Sequence, residues 1–185
     1  DNFVDVARRA GIPNTIALMP TPSISLGVAS PHVIDMASSY ATFAGNGIFA
    51  KPFIIKEVLG SNKGILYEGK IEAQQSFQPD VMADLTYALR QVTNYGTGTA
   101  ASSGIKRPVA GKTGTTTDNA SAWFNGYTAE FATTVAMFRD DAMQSLNGIG
   151  GNYAFTGGSF PAQVWNKYTK LAQKGMPKTP FPKPA

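Results

Sequence analysis

Cysteine is absent from this sequence and histidine occurs once, at His32. The first absence excludes a disulfide framework and a thiolate metal site. The second leaves a histidine-based triad or a multi-histidine metal centre without partners. Charge is also scarce: Asp, Glu, Lys and Arg make up 15% of the chain, against about a quarter in ordinary soluble proteins. The net charge is +4, and the positive residues read as scattered, with Lys174, Lys178 and Lys183 in a proline-rich tail. A nucleic-acid surface needs a basic cluster interleaved with aromatics, and none stands out. No apolar run approaches the length of a membrane span, and no signal peptide opens the chain.

What is present is a well-distributed apolar complement, 43% of 185 residues, with 19 glycines and 12 prolines to punctuate it. That suits one domain or a large part of one. Phe3, Val4, Val6, Ala7 and Ala10 recur at helical spacing behind a cap at Asn2, and Gly11 with Pro13 ends the helix. The chain thus opens directly on a helix, which suggests a piece of a longer polypeptide. Residues 14–30 read as extended and loop-rich. Ser30-Pro31 supplies a cap and a first-turn proline for a second helix, with Val33, Met36, Ala37, Tyr40 and Ala44 on one face and Gly45 at its end. Residues 53–59 and 65–68 read as a hairpin. Pro79 opens a third helix that closes by Gly98. Residues 109–115, 122–127 and 131–138 are expected as three sequential strands with short turns, hence antiparallel. A glycine-rich loop follows over 139–159, then an amphipathic helix carrying Phe160, Val164, Trp165, Tyr168 and Leu171. Residues 175–185 form a Pro/Lys tail, extended or mobile. The fold class is α+β, an antiparallel sheet packed by helices.

The most informative stretch is Gly111-Lys112-Thr113-Gly114-Thr115-Thr116. A phosphate-binding loop would need a glycine five positions before Gly111, where Lys106 stands, and a helix after it. The Lys-Thr-Gly strand of serine acyl-transfer enzymes fits better. Lys112 places a cation at a cleft floor. Thr113 and Thr115 offer hydroxyls to a substrate carboxylate. Gly114 lets substrate approach the strand, the Thr115 N–H can meet a developing oxyanion, and an extended peptide can pair with the strand edge. Thr116 extends the same substrate-binding stretch. Trp123, Phe124, Tyr127, Tyr40 and Trp165 are expected in the core, His32 at the surface. Gly157 and Gly158 read equally as a cleft rim or as flexible loop.

Several spaced segments resemble one family in the right order. Lys112-Thr113-Gly114-Thr115-Thr116 followed by Ala122-Trp123-Phe124-Asn125-Gly126-Tyr127-Thr128 is similar to the signature of class A penicillin-binding proteins. Asn94-Tyr95-Gly96-Thr97-Gly98-Thr99-Ala100 resembles that family's Gly-Thr-Gly turn. Met36-Ala37, Tyr40, Phe43, Gly47 and Pro52 resemble its Met-Ala helix and the turn beyond, and Gly157-Gly158 with Pro161 and Trp165 its closing helix. The resemblance covers about residues 1–172. It implies the penicillin-binding, β-lactamase-like transpeptidase fold, of which this chain is the C-terminal half, with residues 1–174 as domain and 175–185 as tail.

The resemblance also implies a D,D-transpeptidase that crosslinks peptidoglycan stem peptides by serine acyl transfer and is acylated by β-lactams. No metal or organic cofactor is implied. Lys112 and Thr115 become the catalytic candidates, and Thr113, Gly114, Thr115 and Thr116 the substrate-binding ones. The implied setting is outside the cytoplasm, at the outer face of the cell membrane, with the anchor elsewhere. Three departures qualify the match: Val33 stands at a usual proline, Ser121 at a usual aspartate, and the Ser-x-x-Lys and Ser-x-Asn motifs are missing upstream of Lys112. Ser103-Gly104-Ile105-Lys106 and Ser145-Leu146-Asn147 mimic them, but the first sits in a loop and the second follows Lys112. The expected partner is therefore a fragment of the same domain bearing both motifs, and the chain alone is expected to be incompetent. A D,D-carboxypeptidase or β-lactamase of the same fold, or a non-catalytic peptidoglycan-binding module, are the alternatives.

Overall fold

The computed structural model describes residues 2–141, 143–151 and 153–184. Its centre is a three-stranded antiparallel meander, β5 (Ala110–Thr115), β6 (Ser121–Tyr127) and β7 (Ala132–Phe138), in that spatial order. Ahead of it come α1 (Phe3–Ala10), α2 (Val33–Ala44), β1 (Ile48–Ala50), β2 (Glu57–Leu59), β3 (Ile65–Glu68), β4 (Ala73–Gln75), α3 (Pro79–Asn94) and α4 (Thr99–Ser102). The helix α5 (Phe160–Ala172) follows. No described helix is long and apolar enough to cross a membrane.

Strand alternation divides the meander into two faces. Ala110, Lys112 and Gly114 share one face with their partners Tyr127, Asn125 and Trp123; Gly111, Thr113 and Thr115 share the other with Gly126, Phe124 and Ala122. The second face is buried at Gly111, Phe124 and Ala122 and opens at Thr115, which is exposed. Phe124, fully buried, meets Trp165 of α5 edge-on with centroids 5.4 Å apart, and Val109, Ala101 and Ala162 complete the cluster. The Trp165 Nε1–H donates to the Thr133 carbonyl (3.0 Å), so the indole is both packed and satisfied. The first face is packed by α2 and α3: Tyr40 and Ala110 enclose Tyr127, whose hydroxyl pairs with Thr86 Oγ1 at 2.8 Å.

The local chemistry explains most boundaries. The Asn2 side chain accepts from the Asp5 N–H (2.8 Å), and Gly11 stops α1 with φ 126°. The second helix starts two residues later than Ser30-Pro31 implies. His32 is the cap, because its N–H donates to the Asp35 carboxylate (2.9 Å) and its own carbonyl takes the first helical bonds. In the hairpin, the strand ladder begins at Glu57, with one further bond from the Gly69 N–H to the Lys56 carbonyl (2.8 Å), and residues 53–55 lie outside it. The sequence reading missed the short α4, the pairing of β1 with β4, and a 3-10 helix over Pro22–Leu26 inside the stretch expected to be extended.

The tail is extended, and it is held. Arg107 donates to the carbonyls of Pro177 (2.7 Å) and Gln173 (3.0 Å) and to the Glu130 carboxylate (3.0 Å), and Glu130 in turn accepts from the Thr179 N–H (2.9 Å). Phe181 then lays its ring edge-on against Tyr127, centroids 5.4 Å apart.

Candidate active site

β5 is an edge strand of the meander, and its Lys112 face runs into a groove of about 610 Å³. One wall is Gly114, Thr115, Thr116, Ser121, Trp123 and Asn125. The opposite wall comes from α1, the segment around residues 24–31, and the Met36, Ser39, Tyr40 and Phe43 side of α2. A phenol is the only ionisable group among these lining residues, and burial, aided by neighbouring Tyr127, raises the Tyr40 pKa well above the ordinary tyrosine value. Burial likewise pushes Tyr127 up to about 12, against a lowering hydrogen bond from Thr86. Neither phenol can act as a base near neutrality. The groove is thus an apolar trough edged with hydroxyls, holding no carboxylate, imidazole or ammonium beside them.

Lys112 lies on the groove face directly opposite Asn125, but its ammonium is exposed and folds back to donate to the Thr113 carbonyl (3.0 Å). Thr113 and Thr115 point to the opposite face. The Thr113 hydroxyl is joined to Thr97 Oγ1 at 2.6 Å, and Thr115 Oγ1 accepts from the Gly157 N–H at 3.1 Å. Thr115 still contributes to the groove wall. Gly114 is open: a Cβ built there would meet only Trp123 Cβ, at 3.4 Å. Thr116 closes the turn into β6, its hydroxyl accepting from the Ser121 N–H at 2.7 Å, and Ser121 Oγ accepts from the Trp123 indole at 3.2 Å. A serine suffices for that turn.

The two mimics of catalytic motifs fall outside the groove. Ser103 ends α4 with an extended ψ of 116°, so Lys106 is not one helical turn away from it. In Ser145-Leu146-Asn147, Leu146 is buried against Ala122 and Phe155, and Asn147 Oδ1 accepts from Asn119 Nδ2 and the Phe155 N–H, both at 2.8 Å.

Four residues around the site were not singled out from sequence in these positions. Trp123, expected in the core, is only half-buried and lines the groove, whereas its neighbour Phe124 is fully buried. The signal was parity: Trp123 and Asn125 stand opposite Gly114 and Lys112 on one face. Thr97 lies in the Gly-Thr-Gly turn. Gly157 is buried, neither rim nor loose loop, as its contacts with β5 and β6 require.

An edge strand carrying Lys-Thr-Gly, on a meander backed by a C-terminal helix, is the arrangement of the penicillin-binding transpeptidase fold. The chain belongs to the penicillin binding protein transpeptidase domain family, whose model matches residues 21–148. It is 33% identical to penicillin-binding protein 1A of Mycobacterium tuberculosis over 89% of this chain and 21% of that protein. It is 30% identical to penicillin-binding protein 1A of Mycolicibacterium smegmatis over 89% of this chain and 22% of that one. Among solved structures it resembles the penicillin-binding protein PonA1 of M. tuberculosis, with a TM-score of 0.88 and 30% identity, covering 98% of this chain and 51% of that one. PonA1 has also been solved in complex with penicillin V. The chain therefore spans about a fifth of the length of these curated relatives.

Proposed function

We propose that this chain is one wall of a D,D-transpeptidase that crosslinks peptidoglycan stem peptides and is acylated by β-lactams. In this reading the nucleophilic serine attacks the penultimate carbonyl of a stem peptide, terminal D-alanine leaves, and an amine on a neighbouring stem takes the acyl group. Lys112 supplies the cation that supports proton transfer and carboxylate binding. The Thr115 N–H stabilises the oxyanion, and Thr113, Gly114, Thr115 and Thr116 receive the substrate backbone and carboxylate along the strand edge. The serine and its base reside in a separate segment bearing Ser-x-x-Lys and Ser-x-Asn, which seats against the groove. Residues 1–174 form the domain part and 175–185 the tail. The whole works outside the cytoplasm, at the outer face of the membrane.

One observation carries this reading: the Lys112-bearing face of the edge strand opens onto an apolar, hydroxyl-edged groove with no carboxylate, imidazole or ammonium among its described lining residues. Such a groove accepts a packed segment and leaves the charge relay to that segment. A fluorescent penicillin tests it. The chain alone should take no covalent label. The chain together with the segment bearing the two motifs should label that segment, and Lys112→Ala should cut the labelling rate by at least about 10²-fold. Covalent label on this chain by itself would refute the assignment.

A further inference from the structure

Lys106 joins three lysines spaced four residues apart, Lys170, Lys174 and Lys178, around a second cleft on the α5 side of the molecule and away from the groove. This cleft, about 420 Å³, is walled by the loop of Gly104, Ile105, Lys106 and Arg107, by the end of α5, and by the first residues of the tail. Lys106, Lys170, Lys174 and Lys178 line it, all are exposed, and none makes an ion pair with a described residue. The loop that carries Lys106 is fixed. Arg107 ties it to the Gln173 and Pro177 carbonyls and to Glu130, and the Gly104 turn, with φ 65°, passes beneath Lys170, whose Nζ stands 3.2 Å from where a Cβ would sit. Four like charges are therefore held around one concavity without local neutralisation, and like charges so arranged favour a bound counter-anion.

We propose that this cleft binds a phosphate-bearing polyanion. The assignment to phosphate rests on the kind of cation left facing the cleft. The guanidinium of Arg107, whose fork takes carboxylate and phosphate alike, is engaged through both terminal nitrogens with carbonyls and Glu130. What faces the cleft is a set of ammonium point charges, which take up a tetrahedral phosphate from several directions. The cleft is wider than one phosphate and open along its side, so it suits neighbouring phosphates on one chain. Ile105 and Met176 add apolar contact for the linking groups.

Inorganic tripolyphosphate is the first probe, titrated into the full chain at low salt by calorimetry. Saturable binding is expected, weakened at least tenfold in K170E/K174E. It should change less than twofold in K56E/K70E, which makes the same charge change on the exposed β2–β3 hairpin region. Both variants should keep the parent's thermal midpoint, since the altered side chains are exposed. Two further arms separate the sources of phosphate, an oligomeric glycerol phosphate and vesicles containing phosphatidylglycerol. A preference for the oligomer assigns a soluble or wall-borne phosphodiester, and a preference for the vesicles a lipid headgroup; either supports the proposal. The absence of saturable binding, an equal loss in both variants, or poly-glutamate binding as tightly as tripolyphosphate would overturn it.

Discussion

Gly157 is the position where one added methyl group should do most to the candidate site without touching its chemistry. A Cβ there would stand 2.2 Å from the Trp123 carbonyl oxygen, 2.5 Å from the Gly114 carbonyl oxygen and 2.9 Å from the Gly114 nitrogen. All three atoms belong to the backbones of β5 and β6, which are paired to each other across Gly114 and Trp123, so no rotamer change relieves the clash. The closest contact must open from 2.2 Å to at least 3.0 Å by moving either the Gly157 turn or the strand carrying Lys-Thr-Gly. Overpacking of this kind costs about 1–3 kcal/mol. Loss of the Gly157 N–H bond to Thr115 Oγ1 adds about 1 kcal/mol. Gly157→Ala should therefore destabilise the chain by about 2–4 kcal/mol. Urea unfolding followed by tryptophan fluorescence reads this as a lower midpoint at unchanged slope. Gly64→Ala is the control. It lies in an exposed turn where the nearest atom, Asn62 Oδ1 at 3.1 Å, belongs to a side chain that can rotate at the expense of one exposed hydrogen bond from the Gly64 N–H, so it should stay within about 1 kcal/mol of the parent. On the proposed function, penicillin acylation of Gly157→Ala in the completed domain should fall by up to about 10²-fold, because displacing the strand would displace the Thr115 N–H assigned to the oxyanion. A Gly157→Ala midpoint indistinguishable from that of Gly64→Ala would refute the reasoning.

Three other outcomes follow from the same packing. Trp165→Ala removes a side chain only 1% exposed and should cost about 3–5 kcal/mol in urea unfolding, while Trp165→Phe keeps the ring contact but frees the Thr133 carbonyl, at about 1–2 kcal/mol. Thr97→Val breaks the 2.6 Å hydroxyl pair with Thr113 and should cost about 0.5–1.5 kcal/mol, with slower acylation in the completed domain. For Glu130, burial raises the pKa, but hydrogen bonds from Thr179, Thr128 and Arg107 outweigh it and hold the carboxyl below its usual range. A depressed carboxylate pKa means the unfolded chain takes up the proton first. Its contribution is therefore whole above the ordinary value of about 4.3 and is lost as pH falls through the lower folded value. The urea midpoint of Glu130→Gln should fall less steeply than the parent's between neutral pH and pH 3, and parallel curves would contradict the assignment.

What the sequence disclosed, and what it hid, follows from the range of the interactions involved. α1 and α3 were legible because their stops and starts are local: Asn2 with Gly11, and Pro79 at the first turn. The meander was legible because alternation and short turns specify adjacent antiparallel strands, and the observed bounds differ from the expected ones by a residue or so. The pairing of β1 with β4 was not legible. Each strand is three residues long, and the hairpin between them separates the partners. In α4, four helical residues inside a Ser/Gly-rich stretch offer no period to read. Lys112 through Thr116 could be proposed because they are contiguous. The groove could not, since α1, the 24–31 segment and Trp123 meet only through the fold. The basic cleft was missed although Lys170, Lys174 and Lys178 recur every four residues; Lys106 joins them only when the tail returns to Arg107.

The two faces of the meander differ in how far they are completed. On the α5 face, Phe124 and Trp165 close a dry layer under the strand, and Thr97 and Gly157 hold the hydroxyls of Thr113 and Thr115 from that side. On the other face, completion is graded along the strand. Ala110 and Tyr127 are sealed by Tyr40 and α2; two residues on, Lys112 and Asn125 sit at the boundary; two residues further, Gly114 and Trp123 look into the groove. Core and site are thus successive positions of one period-two row, and the step between them is one pleat. The placement of Lys112 is inherited from the burial of Ala110 and Tyr127 rather than from contacts of its own, since its ammonium touches only the next carbonyl. A strand anchored at one end and backed along its far face can remain in register while its near face stays open, and on the proposed function that open face is where the Lys112 ammonium would meet a hydroxyl brought from elsewhere.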